Sequence, residues 1–242
     1  MKGEYVMSVE LPIHGSSPDA SYTLSPSKIL CLGLNYADHI RESVSVQVSG
    51  FTPDVPREPV LFPKTPNTLV GPGEPIRIPS ILAEYAFEDA RTDHEAELAL
   101  IVGTRMKDVD PEHALDYLYG CTCANDVSQR NIQNADRSGW YRGKSFDTFC
   151  PVGPIVVPIG QMPDIHSLDI SCRVNGRTAQ SGNTSEMIFS VEYLLSFLSR
   201  NFTLEPGDLI LTGTPSGVGP IYPGDVVDIE ITGIGILSNP VL

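Results

Sequence analysis

Two carboxylates stand two residues apart in Asp93-His-Glu-Ala-Glu-Leu-Ala-Leu-Ile-Val-Gly103, a segment that reads as a β-strand. Side chains alternate along a strand, so Glu95 and Glu97 share a face with Ala99 and Ile101. Ala96, Leu98, Leu100 and Val102 make the opposite face, which is apolar throughout. Carboxylates so placed repel each other, and desolvation sharpens the repulsion; a divalent cation relieves both. Hard cations such as Mg²⁺ or Mn²⁺ prefer oxygen ligands and keep positions open for substrate oxygens. By itself the pair also fits a solvated strand face near a sheet edge.

Four other groups carry reactive side chains. His39 and Glu42, in Asn35-Tyr-Ala-Asp-His-Ile-Arg-Glu42, are spaced i, i+3 on one helix face. A carboxylate beside an imidazole fixes its tautomer and raises its basicity, the arrangement of a general base, and equally that of a surface ion pair. Ala124-Asn-Asp126-Val-Ser-Gln-Arg130-Asn-Ile-Gln133 puts an acid at a strand end, with Arg130 and Gln133 one helical turn onward. A hydrogen-bonded cap would look the same. Lys144, in Gly143-Lys-Ser-Phe-Asp-Thr148, is a lone turn lysine. Leu211-Thr-Gly-Thr214-Pro-Ser-Gly-Val-Gly219 is a glycine-rich turn whose N–H groups could cradle an anion, although it lacks the Lys-Ser/Thr pair of a P-loop.

The elements that must position these groups are mostly strands. Apolar strands are expected at 28–34, 59–63, 75–78, 95–102, 121–126, 154–157, 169–174, 208–212 and 225–231, separated by Pro and Gly clusters. Asn35 suits the cap of a short helix from Tyr36 to about Glu42. A helix at 111–119 has Asp110 as cap and Gly120 as stop, and another at 191–200 starts at Ser190. Val174-Asn-Gly-Arg177 is a two-residue hairpin turn. Residues 43–58, with Gly50, Pro53 and Pro56, have the length and irregularity of a lid. The pattern is α+β and strand-dominated, without βαβ alternation.

Composition narrows the partners. The 242 residues suffice for one catalytic domain, and 30 acidic against 16 basic residues give a formal charge of −14. That balance argues against nucleic acid or an anionic membrane, yet allows a small anionic substrate where a metal and a few cations reverse the local potential. No apolar run reaches the roughly 20 residues of a membrane span, and the amino terminus shows no signal-peptide core, so a cytoplasmic protein is expected. The five cysteines (Cys31, Cys121, Cys123, Cys150, Cys172) read as buried free thiols.

Taken in order, these motifs resemble the fumarylacetoacetate hydrolase superfamily from Lys28 to Leu242. The likeness rests on Pro59-Val-Leu-Phe-Pro-Lys64, the Val70-Gly-Pro-Gly73 turn, the Glu-x-Glu strand, Asn125-Asp126, Gly143-Lys-Ser-Phe146 and, most specifically, Leu211 to Gly219. The short format is similar to acylpyruvate hydrolase/oxaloacetate decarboxylase proteins and to isomerase/decarboxylase members of aromatic-acid degradation. Residues 1–27 would be a short extension or hairpin before the catalytic domain 28–242. The resemblance implies a mixed β-sandwich roll with a few short helices, a homodimer, and one Mg²⁺ or Mn²⁺ per subunit. It makes Glu95, Glu97 and Asp126 the metal ligands, and His39 and Glu42 an acid/base dyad on a helix that orders with substrate. Lys144 would stabilise developing negative charge, while Lys64, Arg130, Gln133 and Thr214 would hold the substrate. Two departures are Pro63 before Lys64 and a longer segment at 80–92.

The implied chemistry is C–C hydrolysis or decarboxylation of a 2-oxo acid, an acylpyruvate or oxaloacetate, through a metal-bound enolate. The same dyad would serve a 2-hydroxyhepta-2,4-diene-1,7-dioate or 5-carboxymethyl-2-hydroxymuconate isomerase. A tautomerase or dehydratase of sugar-derived 2-oxo acids is a third alternative. From another class, a metal-stabilised binding protein without turnover would need neither the His39–Glu42 pair nor Lys144.

Overall fold

The glutamate strand, Ala96–Val102, lies at the centre of a seven-stranded mixed sheet in the computed structural model, which describes residues 8–42, 55–137 and 139–242. The strand order is Val60–Lys64, Ile29–Gly33, Leu209–Leu211, Ala96–Val102, Leu118–Asn125, Cys150–Pro158 and Leu69–Val70. Ile29–Gly33 runs parallel to Leu209–Leu211, and both neighbours of the glutamate strand are antiparallel to it. A second, antiparallel sheet is ordered Arg177–Asn183, Asp169–Val174, Val226–Ile231 and Gly235–Pro240. A small third sheet joins Gly219–Pro220, Thr92–His94 and Ser128–Gln129.

The glutamate strand is buried on both faces, which explains its run of apolar residues. Ala96, Leu98, Leu100 and Val102 enter the larger core with Ile170, Cys172, Ile229 and Leu237 of the antiparallel sheet, and Leu194, Leu195 and Leu198 of the helix Val191–Asn201. Ala99 and Ile101 pack on the other side against Val9, Leu11 and Leu24 of an amino-terminal hairpin, Val9–Pro12 with Ser21–Leu24. Each fully buried Leu or Ile here contributes roughly 1.5–3 kcal/mol. Between these cores, the carboxylate face is not the solvated edge that a lone Glu-x-Glu would permit.

Local signals placed several elements well. Ser190 accepts from the Tyr193 N–H and starts the helix Val191–Asn201. Asn175 and Gly176 both hold positive φ, 51° and 74°, as a two-residue hairpin turn requires. The fold is strand-dominated with a curled main sheet and few short helices, as expected.

Other expectations need correction. The helix at 111–119 is a 3₁₀ segment, Pro111–Tyr117, whose cap residue Asp110 makes no side-chain capping bond. Gly120, expected as its stop, lies within the strand Leu118–Asn125, where a β-carbon would come 2.2 Å from the Val157 carbonyl oxygen. The strand expected at 75–78 is reduced to one bridge, Ile76 with Val241. Pro63 is tolerated because Val60–Lys64 is an edge strand. Residues 80–92 hold a short 3₁₀ turn, Ser80–Glu84, followed by the stacked rings of Tyr85 and Phe87. Most of the lid expected at 43–58, residues 43–54, lies outside the described residues.

Candidate metal centre and acid–base site

Three strand ends bring the expected carboxylates together. Glu95 joins the strand Thr92–His94 to the glutamate strand, Glu97 is that strand's second residue, and Asp126 directly follows Leu118–Asn125. The Glu95 carbonyl accepts from the Asp126 N–H at 2.9 Å, which locks the two strand ends. One carboxylate oxygen from each of Glu95, Glu97 and Asp126 lies within 4.8 Å of the others, and the three residues are at most 4% exposed.

Cations surround this cluster unevenly. The Lys144 ammonium donates to Glu95 Oε2 at 2.7 Å and Asp126 Oδ2 at 2.6 Å, and lies 4.7 Å from the Phe62 ring centroid. Arg130 forks onto Asp93 Oδ2 and Glu95 Oε1, while its third nitrogen donates to Gln133 Oε1 at 3.0 Å. Glu97 has no ion pair of its own among the described residues and accepts from the Gly213 N–H at 2.6 Å.

The protonation balance follows. Burial would raise the Glu95 carboxyl, but Arg130 and Lys144 outweigh it and hold Glu95 well below the usual carboxylate range. Burial, and then the charges of Asp126 and Glu95, push Glu97 well above that range. Burial alone would lower Lys144; Asp126 and Glu95 reverse that and raise it. Asp126 Oδ1 is ion-paired with the Lys64 ammonium at 2.5 Å. Three buried carboxylate oxygens within 4.8 Å of one another are a donor set that fits a hard divalent cation.

The dyad residues meet above this floor. His39 and Glu42 lie on the helix Ala37–Glu42, with Nδ1 3.3 Å from Glu42 Oε1. An ionised carboxylate only accepts, so this contact places the proton on Nδ1 and leaves Nε2 for chemistry. The Gly217 and Val218 N–H groups also donate to Glu42 Oε1, at 2.7 and 3.3 Å. Burial would raise Glu42, but these bonds outweigh it and lower its pKa. A narrow cleft is lined by His39, Glu95, Glu97, Arg130, Gln133, Lys144, Thr214 and the apolar Phe62 and Trp140.

One turn serves both halves of the site. Residues 212–219 hold Glu97 through Gly213, offer Thr214 to the cleft, and hold Glu42 through Gly217 and Val218. Gly213 has φ of 96°, and a β-carbon there would come 2.8 Å from that of Asn35. At Gly217 it would come 2.1 Å from the Ala179 carbonyl oxygen. Asn35, expected as a helix cap, instead ties this turn down: its amide donates to the Thr212 carbonyl and accepts from the Phe189 N–H.

Lys64 is the expectation that the structure redirects. Its ammonium is enclosed by Asp126 and the carbonyls of Val127 and Lys144, and its side chain is 0% exposed. It braces Asp126 from behind and does not line the cleft. The cleft-lining Phe62 and Trp140, and His94 and Gln180 beneath them, escaped the sequence reading. His94 sits in the same segment as the glutamates, and its adjacency to them was a usable signal. Gln180 comes from the other sheet, with no local signal at all.

Comparison with known proteins agrees with this geometry. The family model described as fumarylacetoacetate (FAA) hydrolase C-terminal matches residues 28–242. The chain is 43% identical over 226 residues to the mitochondrial oxaloacetate tautomerase of Xenopus laevis, covering 90% of this chain and 66% of that protein. Fumarylpyruvate hydrolase from Pseudomonas aeruginosa, solved with Mn²⁺ and pyruvate, aligns with a TM-score of 0.82 at 33% identity, over 98% of this chain and 96% of that one. The 2-hydroxyhepta-2,4-diene-1,7-dioate isomerase from Mycobacterium marinum aligns at 0.76 with 39% identity, covering 94% and 82%. No described helix is long and apolar enough to cross a membrane. From the buried carboxylate floor to the glycine-rich turn, and across residues 28–242, the chain belongs to the fumarylacetoacetate hydrolase family.

Proposed function

We propose that the protein is a divalent-metal-dependent enzyme that forms and discharges the enolate of a small 2-oxo acid, with keto–enol interconversion of oxaloacetate as its leading reaction. The observation that carries this is the convergence of Glu95, Glu97 and Lys144 on the cleft that also receives His39, with a carboxylate oxygen of Asp126 within 4.8 Å of those of both glutamates. A Mg²⁺ or Mn²⁺ held by Glu95, Glu97 and Asp126 would supply Lewis-acid polarisation of the keto oxygen. The chain's own groups account for the rest. His39, with Nδ1 oriented by Glu42, takes a proton at Nε2 from the carbon next to the keto group. The electron pair moves onto the keto oxygen, where the Lys144 ammonium opposes the developing charge. Return of the proton to oxygen gives the enol; return to carbon restores the ketone. Arg130, Gln133 and Thr214 line the same cleft and would orient the substrate carboxylates.

Interconversion needs only proton movement, which this set of groups supplies without a placed water. The name of the Xenopus laevis relative points the same way. C–C hydrolysis of an acylpyruvate is the second reading, favoured by the near full-length match to fumarylpyruvate hydrolase; it adds water activation by His39 to the same enolate chemistry. Product-resolved assays on oxaloacetate, acetylpyruvate and a 2-hydroxy-dienedioate, each with Mg²⁺ and with chelator, separate them. Metal-dependent equilibration of enol and keto oxaloacetate supports the leading reading, and pyruvate release from acetylpyruvate alone replaces it with the second. No metal-dependent conversion of any of the three would reject both.

A further inference from the structure

Gln180 is 1% exposed and reaches from the strand Arg177–Asn183 of the antiparallel sheet into the base of the site. Its amide makes four contacts. Oε1 receives the Ala96 N–H at 3.0 Å and faces His94 Nδ1 at 2.9 Å. Nε2 faces Thr214 Oγ1 at 2.7 Å and the Pro215 carbonyl at 2.8 Å.

Two of these contacts have no freedom of role. A backbone N–H only donates and a backbone carbonyl only accepts, so Ala96 and Pro215 together fix which end of the amide is oxygen. The other two roles then follow. His94 Nδ1 must be the donor, which leaves Nε2 as the bare nitrogen of the neutral ring. Thr214 Oγ1 must be the acceptor, so its own proton is free to be donated elsewhere. Thr214 lines the cleft beside Glu95, Glu97 and Lys144.

We infer that Gln180 is a positioning residue: it holds Thr214 as a hydrogen-bond donor into the cleft, aimed at a carboxylate oxygen of the bound 2-oxo acid. A hydroxyl left free to rotate would have no such bias. The amide also ties the turn that carries Thr214 to the start of the glutamate strand, since Ala96 lies between Glu95 and Glu97. The substrate part of this inference rests on the function proposed above; the orientation of Gln180 does not.

The test therefore has two arms. In the Mg²⁺-loaded wild-type protein at pH 7.5, ¹⁵N spectra should show His94 protonated at Nδ1 and bare at Nε2. The opposite tautomer would overturn the assigned amide orientation, whatever the enzyme does. In the second arm, pyruvate binding is measured with Mn²⁺ for wild type, Gln180→Met, Thr214→Val, Thr214→Ser and the Gln180→Met/Thr214→Val double variant. Gln180→Met should weaken pyruvate about tenfold or more, the usual scale for one hydrogen bond to a charged group. It should raise KM for oxaloacetate far more than it lowers kcat. Thr214→Ser should bind like wild type, and the double variant no worse than Thr214→Val alone. Equal additional loss in the Thr214→Val background, or unchanged pyruvate binding in folded Gln180→Met, would overturn the positioning role. Failure of wild type to bind pyruvate at all would reject the substrate part, while the spectra still decide how Gln180 is oriented.

Discussion

The floor and the rim of this cleft are built by different means. Glu95, Glu97 and Asp126 sit on rigid strand ends, almost wholly buried and enclosed by Lys64, Lys144 and Arg130. His39 and Glu42 sit on a six-residue helix, and the Glu42 side chain is 37% exposed. Among the described residues, the dyad's side chains are held by the 3.3 Å contact and two turn N–H groups. Under the proposed function, a floor defined this tightly would receive a cation with little rearrangement, and the less enclosed rim would adjust as substrate enters. The two tasks are therefore separable by substitution.

The largest effect is expected at the floor. Glu97→Gln removes the one carboxylate of the three that has no ion pair among the described residues, and Mn²⁺ affinity measured by calorimetry should fall by more than about 100-fold. Unchanged affinity would remove Glu97 from the metal centre. At the rim, His39→Ala should lower oxaloacetate turnover about 10²–10⁴-fold and leave Mn²⁺ binding untouched. Loss of both together would show that floor and rim do not act separately.

Lys144 belongs to both regions, so its replacement sharpens the comparison. Its ammonium bridges Glu95 and Asp126, where it competes with any cation for the same oxygens. Lys144→Met should bind Mn²⁺ as tightly as wild type or more tightly, yet turn over about 10²–10³-fold more slowly. Weaker Mn²⁺ binding would mean that the lysine organises the carboxylates and does not oppose charge on the substrate.

The smallest effect concerns Glu42. Its pKa is lowered in the folded protein by His39, Gly217 and Val218, against the effect of burial. Its ionised form therefore stabilises the fold fully above the unfolded value of about 4.3, and that contribution fades as pH falls through the lower folded value. The Tm gap between wild type and Glu42→Gln should be constant above about pH 5 and close in more acidic buffer. A gap that widened with acidity would contradict the assigned bonds.

The same contrast explains what could be read from sequence. The pairing of Glu95 with Glu97 was legible because strand alternation is a local property, whereas the placing of Asp126 beside them came from the family resemblance and not from its own segment. His39 and Glu42 were legible through i, i+3 spacing. Gln180 was not, because its partners Ala96 and His94 lie 84 and 86 residues away, and only the packing of one sheet on another brings them together. Lys64 was named but aimed wrongly: its strand was evident, while the burial of its ammonium behind Asp126 depends on the distant carbonyls of Val127 and Lys144. The short helix was found and its cap residue misjudged, since Asn35 binds Thr212 and Phe189 across the fold. Gly120 looked like a helix stop because glycine signals a turn and a close approach of backbones equally well.

The most direct test of the account is hydrogen exchange at the methyl group of pyruvate in D₂O, followed by NMR. Pyruvate can form the enolate without leading to product, so exchange isolates the step assigned to this cleft. The account expects deuterium incorporation that requires Mg²⁺ or Mn²⁺ and is abolished in both His39→Ala and Glu97→Gln. Exchange no faster than in buffer, with Mn²⁺ and pyruvate both bound to the wild-type protein, would contradict enolate formation at this site.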